Sequence, residues 1–155
     1  MGLWGPLSER YEIHLSEVVS DEAQFFESGE GRKYIDLNSL VEDGRITISC
    51  ASIAAVKAFR DRFDLDYFSR LDPGEAESLT ILLREEARYR FCSADAIVFK
   101  VLGNLGKSEL CISLEMVFSQ VGLGREVDWP YTEEFRKRYL QEGALDRIQD
   151  RGLRE

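Results

Sequence analysis

Histidine is almost missing from this chain. His14 is the only one among 155 residues, so a His-based catalytic triad and a His-rich zinc site are excluded by count. On the strand-like run Tyr11–Leu15 it alternates with Ile13 and Leu15 and is expected to face solvent. Cysteine is scarce too. Cys50, Cys92 and Cys111 are odd in number, widely spaced and set in apolar surroundings, which points to free buried thiols in a reducing, cytoplasmic setting rather than a metal or redox role. No apolar run approaches the roughly 18 residues of a membrane span, so no membrane partner is expected. The start of the chain has no basic stretch followed by an apolar one, hence no signal peptide. Basic residues are the minority, 20 against 29 acidic, for a net charge of −9. That argues against broad, sequence-independent binding to a nucleic-acid backbone and leaves room for a local basic patch or a basic partner.

What is present is an alternation of short strands and capped helices. Tyr11–Leu15 reads as a strand. Ser16 then caps a helix whose face carries Val18, Val19, Glu22, Ala23 and Phe26, stopped by Gly29–Gly31. Tyr34–Leu37 is a short extended piece, and Asn38–Ser39 caps a brief helix ending at Asp43–Gly44. Arg45–Cys50 alternates and is rich in β-branched residues, hence a strand. Ser52 caps a helix with Ile53, Val56 and Phe59 on one face. Residues 61–71 connect, with one helical turn. Asp72-Pro73-Gly74 is a turn with proline where a helix can start, and Glu75 to about Glu86 is helical. Arg88–Cys92 is a strand, followed by a helix capped by Ser93 or Asp95 and closed by Gly103. Cys111–Ile112 is extended, and Ser113 caps a helix through Gln120 that ends at Gly122–Gly124. This alternation predicts an α/β fold, a three-layer sandwich with a mainly parallel central sheet covered on both faces by helices. The composition divides it into an α/β domain over 1–124 and a charged helical C-terminal extension over 125–155.

Three acids stand at helix starts or strand exits, the edge where α/β folds bind ligands. Glu22 lies on an apolar helix face, where a carboxylate is costly without compensation; a position at the rim of that face, reaching water, is the plain alternative. Glu75 stands in the first turn after Pro73-Gly74, where favourable interaction with the helix dipole alone accounts for a glutamate. Glu77, two residues on, points away around the helix, so Glu75 is the choice for a shared site. Asp95 follows the strand ending at Cys92; it can be a simple N-cap, although Ser93 could also supply that cap.

Leu71-Asp-Pro-Gly-Glu-Ala-Glu-Ser-Leu79, Phe91-Cys-Ser-Ala-Asp95, Ile112-Ser-Leu-Glu115 with Gly122, and the early segment Ser16–Ala23 resemble the PIN-domain proteins. The nearest subgroup is prokaryotic and carries "GEAE" and "C-x-A-D" segments. The resemblance covers roughly residues 10–124. It implies a metal-dependent ribonuclease, often the toxin of a toxin–antitoxin pair, with Glu22, Glu75 and Asp95 as the catalytic, metal-binding acids for Mg²⁺ or Mn²⁺. The family opens with a strand ending in an aspartate, and nothing before Tyr11 fits that pattern. Asp36-Leu-Asn38 looks like it but follows the Glu22 helix, in the wrong order. The expectation is therefore a PIN-like sheet lacking its first strand, with exposed neighbours that favour homo-oligomers.

Three readings follow. The first is a PIN-like ribonuclease acting by metal-assisted phosphodiester hydrolysis, with Arg84, Arg88, Arg90, Lys100 and Lys107 available to touch RNA. The second is a non-catalytic PIN-like binding or regulatory module for a protein partner or antitoxin. The third is an unrelated α/β domain whose acids only cap helices.

Overall fold

In a computed structural model, residues 4–29, 31–85 and 88–154 are described. Expected features at residues 1–3, and Glu30 and Glu86 near expected helix ends, lie outside them. Helix α1 (Trp4–Arg10) leads into strand β1 (Ile13–Ser16) and helix α2 (Glu17–Glu22). The Ser16 side chain accepts from the Val19 N–H, as expected of the cap. The helix is shorter than its apolar spacing predicts. It stops at Glu22, and β2 (Phe25–Ser28) pairs antiparallel with β3 (Gly31–Tyr34). Gly31, at φ +106, gives the turn its left-handed residue, so the glycines make a hairpin rather than a helix stop.

Helix α3 (Leu37–Glu42) is capped by Asp36, not by Asn38 or Ser39: the Ser39 N–H donates to Asp36 at 3.1 Å. Strand β4 (Ile46–Ser49), helix α4 (Ile53–Arg60) with its Ser52 cap, and the single turn α5 (Leu65–Phe68) follow. Ile53 departs from expectation, being 88% exposed, whereas Phe59 is buried. Ile53 occupies the first helical position, outside the packed part of that face. Helix α6 (Pro73–Arg84) begins with Pro73 in the first turn, where a missing N–H costs nothing. Then come β5 (Phe91–Cys92), α7 (Ala96–Asn104), β6 (Cys111–Ile112), α8 (Leu114–Gln120, capped by Ser113) and α9 (Glu133–Ile148).

The fold is mixed α/β. Two of its three two-stranded sheets are parallel: β1 with β4, in register Ile13↔Ile46, and β5 with β6, in register Phe91↔Cys111. Among the described residues no ladder joins β1 to β5. A cleft of about 1150 Å³ separates the two pairs.

The core lies beside these sheets, around α7. Ile97, Val98, Phe99, Val101 and Leu102 are all buried, with Phe63, Tyr67 and Leu79 against them. The segment 125–155 shares this core. Phe135 and Leu140 of α9 are buried in it, and Phe135 meets Phe99 edge to face at 6.0 Å. The α7–α9 approach is close because two glycines face it. A Cβ on Gly103 would fall 2.1 Å from the Leu140 carbonyl oxygen, and one on Gly143 2.0 Å from that of Lys100. Below this crossing Asp146 is buried among Lys100 Nζ (3.0 Å), the Tyr67 hydroxyl (2.9 Å) and Arg151 (2.6 Å). Lys100 therefore packs against α9 and is not presented to RNA.

The cysteines are free, but only Cys111 is buried; Cys50 and Cys92 are exposed. His14 does not face solvent either. Its ring lies 4.2 Å from that of Tyr89, Nε2 hydrogen-bonds with Glu12 at 2.9 Å, and Nδ1 is buried with no partner.

Candidate functional site at the strand exits

The first turn of α6 organises the site. The Glu75 N–H donates to Asp72 Oδ1 at 2.7 Å, and the Asp72 N–H donates back to Glu75 Oε2 at 3.2 Å. This reciprocal capping box satisfies two donors and holds the Glu75 carboxylate at the helix start. Asp95 caps α7 in the same sense: the Ile97 N–H donates to Asp95 Oδ1 at 3.0 Å, while the Asp95 N–H donates to Ser93 Oγ at 2.9 Å. Both acids thus do the capping work that accounts for them locally.

They also meet each other. Burial first, and then the Asp95 charge, push the Glu75 carboxyl from 4.5 up to about 7, and a hydrogen bond links the two side chains. Glu22, the last residue of α2, comes to the same helix start. Its Oε2 lies 3.6 Å from where a Cβ on Gly74 would sit, beside Val19 at 3.1 Å. The structure thus joins Glu75 to Asp95 directly and brings Glu22 to the rim of the same turn, exposed to solvent. Among the described residues no three His, Cys, Asp or Glu side chains converge on one point.

Glu77 was expected to point away from the site, and it does, but not into solvent. It is buried, at 5% exposure. It accepts the Val18 N–H at 2.9 Å and the Ala51 N–H at 3.1 Å. Those two donors lie just past the ends of the parallel strands β1 and β4, so one carboxylate ties both exits to α6. The Ser78 hydroxyl adds a bond to Ser16 at 2.9 Å. A signal existed in the sequence: Gly74 and Ile81, three before and four after Glu77, both face inward.

The raised Glu75 pKa has a consequence for stability. The folded carboxyl binds its proton more tightly than the unfolded one, so between pH 4.5 and 7 the folded state holds the extra proton. Stability then falls as pH rises through this window and levels off above it. Glu75→Gln keeps an oxygen for the Asp72 N–H and cannot ionise. Thermal melts from pH 4.5 to 8 are expected to show the variant gaining on the wild type as pH rises. Parallel curves would remove the crowded-carboxylate account.

Of the basic candidates, Arg88 lies over the Tyr89 ring, 5.6 Å from its centroid, and Arg90 donates to the Glu109 carbonyl at 2.9 Å. Both line the cleft. No family model, no curated protein and no solved structure matches this chain. Among the described residues no helix is long and apolar enough to cross a membrane.

Proposed function

We propose that the protein is a PIN-like, metal-dependent ribonuclease whose cation is held by Glu75 and Asp95. The observation that carries this reading is their meeting at the exit edge, where crowding and burial raise Glu75 to about 7. Two carboxylates that repel one another at neutral pH suit a divalent cation, and an all-oxygen donor pair suits Mg²⁺ or Mn²⁺, which keep several waters and often share substrate phosphates. Such a cation would supply a bound water of lowered pKa and offset charge on the phosphodiester.

The chain's own residues do the rest. Asp72 fixes the Glu75 carboxylate through the capping box, Ser93 fixes the Asp95 backbone, and Glu22 adds negative charge at the rim through water. Arg88 and Arg90 border the adjoining cleft and would receive the RNA backbone. The order of the parallel pairs about that cleft supports a PIN-like sandwich without its first strand.

The test is cleavage of single-stranded RNA with Mn²⁺ or Mg²⁺. Asparagine caps a helix about as well as aspartate. Asp95→Asn should therefore keep the fold and lower cleavage by about a hundredfold, as loss of a metal ligand does. Equal rates in wild type and variant would sink the proposal.

A specific observation favours the second reading, a non-catalytic binding or regulatory module for a protein partner of the antitoxin kind. Only two acids meet directly, and the adjoining cleft is bounded by sheet edges. Calorimetry decides between them: stoichiometric Mn²⁺ binding lost in Asp95→Asn supports the nuclease.

A further inference from the structure

The cleft has four distinct walls. Its sides are the edge of β1 away from β4 and the edge of β5 away from β6. Ile81 and Leu82 of α6 form one face; Leu7, Leu114 and Val117, from α1 and α8, form the other. The two edges run the same way. Glu75 neighbours both exits, that of β5 through Asp95, and that of β1 through Gly74 against Val19 and the Ser78–Ser16 bond. At the other end the His14–Tyr89 ring contact brings the entries side by side. Two sheet edges of the same sense, with apolar helices above and below, match a strand better than any compact ligand.

The ends of the cleft are charged oppositely. Arg10, Arg88 and Arg90 line the entry, where Glu12 is taken up by His14. Glu75, with Asp95 beside it, marks the exit. The buried Nδ1 of His14, without a partner, lies on the same wall.

We infer that the slot between β1 and β5 accepts an extended segment of a partner protein, which adds a parallel strand pairing with both edges. The segment is apolar through its middle, because both faces of the slot are apolar. It carries acidic residues at its N-terminal end, against the three arginines, and basic residues at its C-terminal end, against Glu75 and Asp95. Binding by strand addition takes affinity from main-chain hydrogen bonds and specificity from the flanking side chains. The inference stands on the slot and not on the metal reading.

The experiment uses the full chain in EDTA, so that no divalent cation contributes. The probe is a fluorescein-labelled octapeptide of two aspartates, four alternating valines and isoleucines, and two lysines. Saturable binding is expected, with a Kd on the order of 10–100 µM. Methylating alternate backbone nitrogens removes the strand donors without changing the side chains, and should weaken binding at least ~10-fold. The exposed pair Arg88→Glu and Arg90→Glu should weaken the aspartate-led peptide and strengthen a lysine-led one of reversed end charges. Absence of saturable binding up to ~1 mM overturns the inference. So does equal affinity for the methylated peptide. A dimer in sedimentation that the peptide displaces would assign the slot to a second copy instead, and also overturns it. RNA cleavage by Asp95→Asn is a separate readout, so failure of one proposal is distinguishable from failure of the other.

Discussion

Replacing Gly143 with alanine is expected to destabilise the protein by at least ~3 kcal/mol, the upper part of the range for forced overpacking. The new Cβ would sit 2.0 Å from the Lys100 carbonyl oxygen and 2.9 Å from the Asn104 nitrogen. Both are backbone atoms of α7, so no rotamer change relieves the clash; the helices must separate. Alanine gains about 1 kcal/mol over glycine in helix propensity, which offsets only part of that cost. Separation also strips cover from Val101, Leu102 and Phe99, all buried at this crossing. A domain with total stability of roughly 5–15 kcal/mol loses a large share of it. Urea unfolding followed by circular dichroism measures the shift in midpoint. A variant as stable as the wild type would mean that α7 and α9 do not pack this closely.

The second large effect is expected at Glu77. Its carboxylate receives the Val18 and Ala51 N–H groups while itself buried. Glu77→Ala leaves both donors unpaired. Hydrogen bonds to a charged group contribute about 1.5–3 kcal/mol each, so a loss of about 3 kcal/mol is expected. Glu77→Gln keeps the shape and one good acceptor, but its amide NH₂ faces the other donor, and roughly half the loss should remain. Hydrogen exchange localises the effect: the Val18 and Ala51 amides should lose protection ahead of those in α7. Uniform change across the chain, or none, would contradict the tie between the strand exits and α6.

These two residues also mark where the sequence was readable and where it was not. Helix starts were legible because capping is local: Ser16, Ser52 and Ser113 each accept the N–H three residues on. Asp72 and Pro73 likewise place the start of α6. The end of α2 was not legible, since Phe26 falls at helical spacing from Glu22 while its pairing partner, Lys33, is across a hairpin. Glu77 was misjudged because its two partners lie 59 and 26 residues away. Among the site acids, Glu75 and Asp95 could be picked from position alone, but their contact depends on how α6 and α7 sit together. The charged run after Gly124 looked like an appendage. Its sparse Phe135 and Leu140 gave little weight to a core role, and Gly143 inside a helix was the unread sign of a close neighbour.

The residues after α9 hold an early part of the chain in place. Leu153 bridges to Phe63, the Gly152 N–H donates to Asp64, the Asp64 N–H donates to the Gly152 carbonyl, and the Arg154 N–H donates to that of Arg62. Phe63 is fully buried and stacks on Tyr67, so this aromatic pair is closed off only when Gly152–Arg154 arrive. During synthesis the ribosome releases those residues some ninety positions later. A nascent chain that has extruded α4 to α8 therefore carries an unclosed aromatic surface, and it is a natural client for chaperones until the tail is out.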